Sequence, residues 1–270
     1  MTETAAHHRM RAHLRHAAAE FAVPVVGEAV FGWRARSIGA PVRHPAGPRW
    51  LRVVSEETRW AHGEWWTGNA DARAVVGIRA PRTLDVLEWE LGDGLRQRAE
   101  LRTHLDGTPC SDTDALRQEL ALPETWWSEL RRSLDVLRTV PTARLRDDVP
   151  EVHRAIRDRL GLTPEIPEWE TVHGDLHWAN LLRPEFGILD WELWGHGPAG
   201  TDAATLYCYS LLAPRTAGRV WSTFADVLGT PSGTTAQLYV AARILNRVDM
   251  GDHPDLARPL HQVVGRCRAE

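Results

Sequence analysis

The sequence contains no lysine. All 32 of its basic residues are arginine, and they stand against 36 acidic residues, so the formal net charge is −4. A Walker P-loop, a Schiff-base enzyme and an S-x-x-K nucleophile site each require a lysine amine, and the sequence therefore excludes all three. The small acidic excess is also unlike the basic surface of a nucleic-acid-binding protein. We expect no nucleic-acid partner.

Cysteine is scarce as well, with three residues at Cys110, Cys208 and Cys267. Their odd number and wide spacing argue against a disulfide framework and against a four-cysteine zinc site. No run of about 18 apolar residues, the length that crosses a bilayer, occurs in the chain. Residues 1–22 also lack the apolar core of a signal peptide. We expect a cytoplasmic protein without membrane association, present as a monomer or a weak dimer.

The length of 270 residues fits one large domain or two joined lobes. Residues 1–105 begin with a helix-permissive segment and continue with short strand-like runs, which glycine and proline turn signals such as Gly39-Ala40-Pro41 separate. One helix is predicted over residues 64–76. The five predicted strands are residues 33–37, 42–44, 50–54, 83–90 and 98–104. These patterns predict a small, β-rich N-terminal lobe.

Helical spacing dominates residues 106–270. Apolar residues recur every three or four positions over residues 122–137, which predicts one amphipathic helix. A second helix is predicted over residues 149–160, with Gly161 as its C-cap. Residues 201–270 read as three more helices. Together with the N-terminal lobe, this larger helical C-terminal lobe makes an α+β protein.

The densest group of reactive side chains lies in residues 172–192, V-H-G-D-L-H-W-A-N-L-L-R-P-E-F-G-I-L-D-W-E. Asp175 and Asn180 follow a tight bend at Gly174, and a short hydrophobic strand leads to Asp190. Two carboxylates and an amide oxygen on the two arms of a hairpin form a set of hard oxygen ligands, which suits Mg²⁺. If Asn180 and Asp190 hold the metal, Asp175 is left to accept the proton of an attacking hydroxyl, as phosphoryl transfer requires.

This segment resembles the catalytic region of the aminoglycoside phosphotransferase and choline kinase family, a branch of the protein-kinase-like superfamily. In that family the catalytic loop reads H-G-D-x-x-x-x-N and is followed by a strand and a metal-binding aspartate. His173-Gly174-Asp175 with Asn180, and then Ile188-Leu189-Asp190, match this pattern in residue type and spacing. The order of elements agrees over most of the chain. The resemblance therefore implies a protein-kinase-like fold with two lobes.

The resemblance also implies roles for individual residues. A catalytic loop would span residues 173–180, with Asp175 as the catalytic base. A metal-binding segment would span residues 187–192, and Asn180 and Asp190 would bind Mg²⁺. The residues that would support the loop are His173 and Asp202.

The residues expected to bind the nucleotide depart from the family pattern. The family places a lysine on its third strand to hold the phosphates, whereas this sequence offers Arg52, whose reach and geometry differ. The helix carboxylate that pairs with it is expected to be Glu64, with Asp71 as the alternative. Ser37 and Gly39 stand where a phosphate-binding loop is expected, but the G-x-G-x-x-G motif is missing. A tight hairpin is an equal interpretation of that stretch.

The passage from Arg98 to Gly107 resembles the hinge whose backbone binds adenine in the family. We therefore expect adenine near residues 102–105, with Arg102 and His104 as contacts. An ordinary strand followed by a turn would give the same pattern, so both interpretations stay open.

The resemblance implies a phosphotransferase that uses ATP or GTP and Mg²⁺ and has a small-molecule hydroxyl as acceptor. The acceptor would be an aminoglycoside-like compound, an amino alcohol or a sugar, and Glu192 is a candidate contact to it. A nucleotide-binding pseudokinase is one alternative, which Arg52 favours and the intact Asp175 opposes. A zinc-dependent hydrolase with His173, Asp175 and His177 as ligands is another, but no H-E-x-x-H motif supports it.

Overall fold

The computed structural model of the protein describes residues 4–269, which form two compact units. The N-terminal unit runs up to Ala74 and continues over Ala80–Asp106. The C-terminal unit comprises the short segment Val75–Arg79 and the chain from Gly107 onward. The chain therefore enters the C-terminal unit once, briefly, before the N-terminal unit is complete.

The N-terminal unit is an antiparallel sheet with strand order β1-β2-β3-β5-β4 and two helices. Its helices and strands, in chain order, are α1 (Ala5–Glu20), β1 (Val30–Phe31), β2 (Ser37–Val42), β3 (Arg49–Glu57), α2 (Glu64–Asp71), β4 (Thr83–Glu90) and β5 (Leu95–Thr103). The predicted helix at the N-terminus and the five-stranded sheet are both present.

One face of this sheet is apolar and packs against α1. Leu14 of α1 contributes to the same buried cluster as Leu51 and Val53 of β3 and Leu101 of β5. Because side chains alternate between the faces of a strand, polar residues at the intervening positions lie on the opposite face. Arg52 is one of these, so the alternation of β3 places it away from the apolar core.

Four local expectations for this unit are wrong. The strand predicted over residues 42–44 is absent beyond Val42, the last residue of β2. Residues 33–37 are not a strand, because Trp33–Ala35 forms a 3₁₀ turn before β2 begins. Gly39-Ala40-Pro41 is not a turn but lies inside β2. The carbonyl of Pro41 accepts a hydrogen bond from the Val26 N–H (3.0 Å), on the side of β2 that faces away from β3. An N–H at position 41 would lie on that same side. Proline is therefore tolerated here, because its missing N–H is not needed for the pairing of β2 with β3. The helix predicted to reach residue 76 ends at Asp71, and Ala72–Ala74 forms a 3₁₀ turn after it.

The C-terminal unit is mainly helical. Its helices are α3 (Glu124–Leu137), α4 (Val149–Leu160), α5 (Thr201–Tyr209), α6 (Pro214–Thr223), α7 (Ala225–Leu228), α8 (Pro231–Asp249) and α9 (Ala257–Cys267). Its short strands form two antiparallel pairs, β6 (Thr108–Pro109) with β8 (Leu182–Arg183) and β7 (Trp169–Val172) with β9 (Gly195–Pro198). The long helix α8 is buried over most of its length and packs against α4, α5 and α9.

The sequence signals for α4 are realised in detail. Asp148 and Glu151 form a reciprocal capping box at its start, and Gly161 adopts a left-handed conformation (φ 68°) at its end. The three helices predicted after residue 200 are five in the described chain. Pro214 and Pro231 each stand at the start of a helix, where proline is tolerated, rather than only ending the one before. No helix within residues 4–269 is both long and apolar enough to cross a membrane.

A pair of glycine substitutions tests these helix boundaries. Gly161→Ala should lower the free energy of unfolding by about 1–2 kcal/mol, because alanine is strained at positive φ and the space around an added Cβ is open. Gly218→Ala, inside α6 with equally open surroundings, should raise it by about 0.5–1 kcal/mol. Urea denaturation of the two variants and the wild type measures both changes. Changes of the same sign would contradict these boundaries.

Candidate active site

A hairpin places Asn180 and Asp190 on adjacent arms. Leu181 and Ile188 form an isolated antiparallel bridge, and the Leu189 N–H donates to the Asn180 carbonyl (2.8 Å). Asp190 then turns out of the hairpin with a left-handed backbone (φ 56°). The two residues that the sequence proposed as metal ligands therefore stand together at the open end of one hairpin.

Hydrogen bonds fix the orientation of the Asn180 side chain. Its Nδ2 donates to the backbone carbonyl of Asp175 (3.0 Å) and lies 3.2 Å from Nε2 of His177. Because the amide nitrogen makes these contacts, Oδ1 is the atom that remains for a cation. An amide oxygen and the Asp190 carboxylate are the hard oxygen donors that Mg²⁺ prefers, with substrate phosphates and water completing its shell. The donor set thus fits this ion.

The backbone of the loop is held by a buried carboxylate from α5. Oδ2 of Asp202 accepts the His173 N–H (2.7 Å) and Oδ1 accepts the Gly174 N–H (2.9 Å). Asp202 lies in the first turn of α5, where the helix dipole favours a negative charge. Burial raises the pKa of Asp202, although His173 and the two N–H donors act in the opposite direction. His173 itself is fully buried, with Nε2 2.9 Å from the Leu189 carbonyl.

Two arginines contact the same loop from the carbonyl side. The Gly174 oxygen accepts from Nε of Arg146 (3.4 Å) and from Nη1 and Nη2 of Arg243 (3.3 and 3.4 Å). Gly174 has φ 79°, and an added Cβ would lie 2.5 Å from Cδ of Arg146 and 2.6 Å from the Leu193 carbonyl. A residue with a side chain is therefore excluded at the bend, for reasons of both conformation and space.

Asp175 is 32% exposed and lies beside His177, whose Nε2 is 3.4 Å from its Oδ2. Partial burial alone would raise the pKa of Asp175, but the charge and hydrogen bond of His177 and the charge of Arg243 hold it well below its ordinary range. Burial lowers the pKa of His177, and Asp175 and Asp114 more than offset that effect, so the net shift is upward. The pair therefore favours a carboxylate at Asp175.

Sequence reasoning missed Asp114, which lies in the loop before α3. Its Oδ1 is 3.5 Å from Nε2 of His177, and its Oδ2 is 2.5 Å from Nη1 of Arg247 on α8. His253 also lies beside this carboxylate, with its Nε2 3.5 Å from Oδ2 of Asp114. No local motif marks Asp114, Arg146 or Arg243, because each reaches the loop through a contact that is distant in sequence.

Glu192 lies two residues after Asp190 and has a buried side chain. The intervening Trp191 is fully buried, donates from Nε1 to the Ile188 carbonyl (3.0 Å) and packs edge-on against His173 (4.9 Å between ring centroids). The indole of Trp191 therefore supports the loop through its contacts with His173 and with the Ile188 carbonyl. A contact between Glu192 and an acceptor stays a prediction.

In the N-terminal unit, Arg52 occupies the centre of the sheet. It pairs with Gly39 of β2 on one side and with Glu100 of β5 on the other. Ser37 is the first residue of β2, so Ser37 and Gly39 belong to a strand rather than to a loop or a hairpin turn. Glu64 is the exposed first residue of α2. Sequence reasoning did not anticipate Glu100, a buried carboxylate directly across the ladder from Arg52.

The residues expected near adenine lie at the end of β5. Arg102 is buried, and its Nη2 donates to Oδ1 of Asn69 on α2 (3.1 Å). His104 follows the strand, with Nδ1 3.5 Å from Oδ1 of Asp106 and its ring 6.1 Å from that of Trp50. The guanidinium of Arg102 is thus directed toward α2. Adenine contacts from this segment stay a prediction.

Metal-ligand geometry of the kind that zinc requires is not found in the described chain. Within residues 4–269, no three His, Cys, Asp or Glu side chains are grouped so that they could hold a metal ion. The cysteines Cys110, Cys208 and Cys267 are free thiols, and burial raises the pKa of Cys110 to about 12.

No model of a protein family matches the sequence, and no curated protein matches it either. Solved structures do match. A thermostable mutant of the aminoglycoside phosphotransferase APH(4)-Ia, in its apo form, is 14% identical, with a TM-score of 0.62 over 95% of this chain and 98% of that chain. An amicoumacin kinase in complex with AMP-PNP, Ca²⁺ and Ami is 13% identical, with a TM-score of 0.60 over 95% and 92%.

A putative aminoglycoside phosphotransferase from Ralstonia eutropha is also similar, at 16% identity and a TM-score of 0.53 over 95% of this chain and 96% of that chain. Each of these likenesses extends over nearly the whole of both chains, so both units are included. The predicted α+β, protein-kinase-like class is thereby confirmed. The chain has the fold of the aminoglycoside phosphotransferases and related kinases.

Proposed function

We propose that the protein is a small-molecule kinase that transfers the γ-phosphate of ATP to a hydroxyl group. The observation that carries this proposal is the arrangement of three side chains around one loop. Asp175 stands at a restrained bend, and Asn180 is hydrogen-bonded to the carbonyl of Asp175 itself (3.0 Å). Asp190 ends the neighbouring arm of the hairpin. In the proposed roles, this arrangement would supply a base and two metal ligands, as phosphoryl transfer needs.

Asp175 would orient the acceptor hydroxyl and accept its proton. Because phosphoryl transfer has a loose transition state, most of the catalytic effect comes from positioning rather than from a strong base. A carboxylate with a lowered pKa is suited to this task, since it stays ionised throughout the neutral range. The proton would pass from the hydroxyl to a carboxylate oxygen of Asp175 as the bond from the acceptor oxygen to the γ-phosphorus forms. The bond from that phosphorus to the β–γ bridging oxygen would break in the same step, so that ADP leaves.

Asn180 and Asp190 would hold Mg²⁺, and Asp202 would keep the loop that carries Asp175 in place. When bound, the ion neutralises the negative charge of the phosphates. In the N-terminal unit, Arg52 would hold the α and β phosphates in place of the family's lysine. A guanidinium can bind phosphate through two parallel N–H bonds, so the substitution is compatible with this role.

The acceptor is proposed to be an aminoglycoside-like compound, an amino alcohol or a sugar. Two neighbours support an antibiotic-like acceptor: one structure of the APH(4)-Ia mutant is a ternary complex with ADP and hygromycin B, and a spectinomycin phosphotransferase is bound to ADP and spectinomycin. Their nucleotides support ATP rather than GTP as co-substrate. A reaction that consumes ATP agrees with the cytoplasmic location that the sequence predicts.

A pseudokinase is the second candidate, and the arginine at position 52 is the observation that favours it. The two candidates differ in turnover. Nucleoside triphosphate consumption is therefore measured with Mg²⁺ and a pooled panel of aminoglycosides, amino alcohols and sugars. Acceptor-stimulated turnover supports the kinase, whereas tight nucleotide binding without turnover supports the pseudokinase.

Asp175→Asn should lower kcat by at least about 100-fold, because an amide cannot accept the hydroxyl proton. The affinity for ATP, measured by calorimetry, should change little, since the phosphates are proposed to be held elsewhere. A steady-state assay with the active acceptor measures kcat. A variant that retains wild-type kcat would remove Asp175 from the reaction.

His177→Gln should move the acid limb of the kcat/KM profile to higher pH. The charge and hydrogen bond of His177 lower the pKa of Asp175, and their loss leaves the effect of burial, which raises it. A higher pKa means that Asp175 is protonated, and inactive as a base, at a less acidic pH. The profile is recorded from about pH 3 to 8, a range that includes the ordinary carboxyl pKa of about 4. His153→Gln, which removes a distant histidine, serves as the control, and coincident limbs would refute the pairing.

Arg52→Met should raise the KM for ATP by about 10- to 150-fold, which corresponds to losing hydrogen bonds to a charged group of about 1.5–3 kcal/mol. Arg52→Lys should raise it less, because it keeps the positive charge. Arg59→Met removes an exposed arginine after β3 whose Nη2 pairs with Oε2 of Glu57 (2.7 Å), and it should leave the KM unchanged. Equal KM values for the Arg52 variants and the wild type would exclude the phosphate role.

A further inference from the structure

We propose that Arg243, on α8, is a positioning residue that restrains the backbone immediately before Asp175. This inference rests on the proposed function, in which Asp175 is the base. Nη1 and Nη2 of Arg243 lie 3.3 and 3.4 Å from the carbonyl oxygen of Gly174. That carbonyl is part of the peptide bond whose nitrogen belongs to Asp175. A guanidinium that fixes this peptide plane also fixes the direction in which Asp175 leaves the backbone.

The contacts of Arg243 differ from those of the arginine one turn later. Arg247 forms an ion pair with Asp114 (2.5 Å) and a second with Asp252 (3.3 Å). In the described part of the chain, the hydrogen bonds of Arg243 go to the Gly174 carbonyl alone. The charge of Arg243 is compensated through space by Asp147 and Asp175, both of which raise its pKa. The Gly174 carbonyl is the group to which its hydrogen bonds go.

Three further residues hold this guanidinium in position. Arg243 packs over the ring of Tyr239 (5.5 Å to the centroid), and the Tyr239 hydroxyl donates to Oδ1 of Asp147 (2.6 Å). The same oxygen accepts Nη1 of Arg146 (2.7 Å), whose Nε reaches the Gly174 carbonyl (3.4 Å). We call Arg146, Asp147, Tyr239 and Arg243 the arginine clamp. The Asp147 carboxylate and the Tyr239 ring thus hold both guanidiniums of the clamp in contact with the Gly174 carbonyl oxygen.

The arginine clamp and Asp202 act on opposite polar groups of the same residue. Asp202 accepts the Gly174 N–H, and the clamp donates to the Gly174 carbonyl. Glycine has the greatest backbone freedom of any residue, so an unrestrained Gly174 would let the peptide before Asp175 rotate. A displacement of about 1 Å at a catalytic group lowers the rate by about 100-fold. The clamp would therefore affect kcat without contacting ATP or the acceptor.

The test compares Arg243→Ala and Arg243→Lys with the wild type, and uses Arg268→Ala as a matched control. Nη2 of Arg268 also donates to a backbone carbonyl in the C-terminal unit, that of Leu160 (2.6 Å), but this carbonyl lies at the end of α4. For each full-length protein, kcat and the KM for ATP are measured, with and without millimolar guanidinium. Amide hydrogen exchange is followed on the peptide spanning residues 172–176, and thermal unfolding reports the fold.

For Arg243→Ala we expect kcat to fall by about 100-fold while the KM for ATP stays within about threefold. Arg243→Lys should recover part of the loss, and free guanidinium should partly restore Arg243→Ala. Exchange in residues 172–176 should accelerate in Arg243→Ala and not in Arg268→Ala. An unchanged kcat would overturn the proposal. So would a loss of activity that neither lysine nor guanidinium relieves, because that is the behaviour of a purely structural residue.

The failure of the proposed function is a separate outcome. If the wild type shows no turnover with any acceptor, the kinase proposal fails, and hydrogen exchange alone decides the role of Arg243. Faster exchange confined to residues 172–176 then supports the clamp as a restraint on the loop. Exchange equal to that of the wild type overturns it.

Discussion

The candidate active site depends on the two hydrogen bonds that Asp202 accepts from the backbone N–H groups of His173 and Gly174. His173 and Gly174 are buried at the start of the loop, and without an acceptor their N–H groups would destabilise any structure that buried them. The first turn of α5 supplies that acceptor at 2.7 and 2.9 Å. Placing the carboxylate there fixes the start of the loop relative to a rigid helix. Asp175, Asn180 and the hairpin that ends at Asp190 take their positions from that point.

Arginine takes every position that lysine could occupy in this chain, and the structure shows how its planar guanidinium is used. Arg146 and Arg243 share one carbonyl oxygen, whereas Arg247 forms ion pairs with two aspartates. Several donors per side chain let one arginine link elements that lie far apart in sequence. A single lysine ammonium would not present the same fixed geometry. Two guanidiniums therefore lie on the carbonyl side of the loop, and the charge of Arg243 helps to lower the pKa of Asp175.

Local sequence patterns predicted the features that interactions between residues close in sequence determine, such as helix bounds and caps. The bounds predicted for α4 and its C-cap at Gly161 both correspond to features of the structure. The strand at Ser37–Val42 was missed, because pairing with β3 overrode the turn preference of glycine and proline. Asp114, Arg146 and Arg243 escaped notice for a different reason. Their contacts join segments tens of residues apart, and no spacing rule in a single sequence reports such contacts.

The segment Val75–Arg79 has a consequence for how the chain is made. Its carbonyl at Arg79 accepts the Ile188 N–H (3.0 Å), and Nη1 of Arg79 donates to the Phe186 carbonyl (3.0 Å). Val75 and Ile78 are buried in the finished protein, yet they leave the ribosome more than a hundred residues before these partners. During synthesis this segment is therefore made long before the Phe186 and Ile188 backbone groups to which Arg79 is hydrogen-bonded in the folded protein.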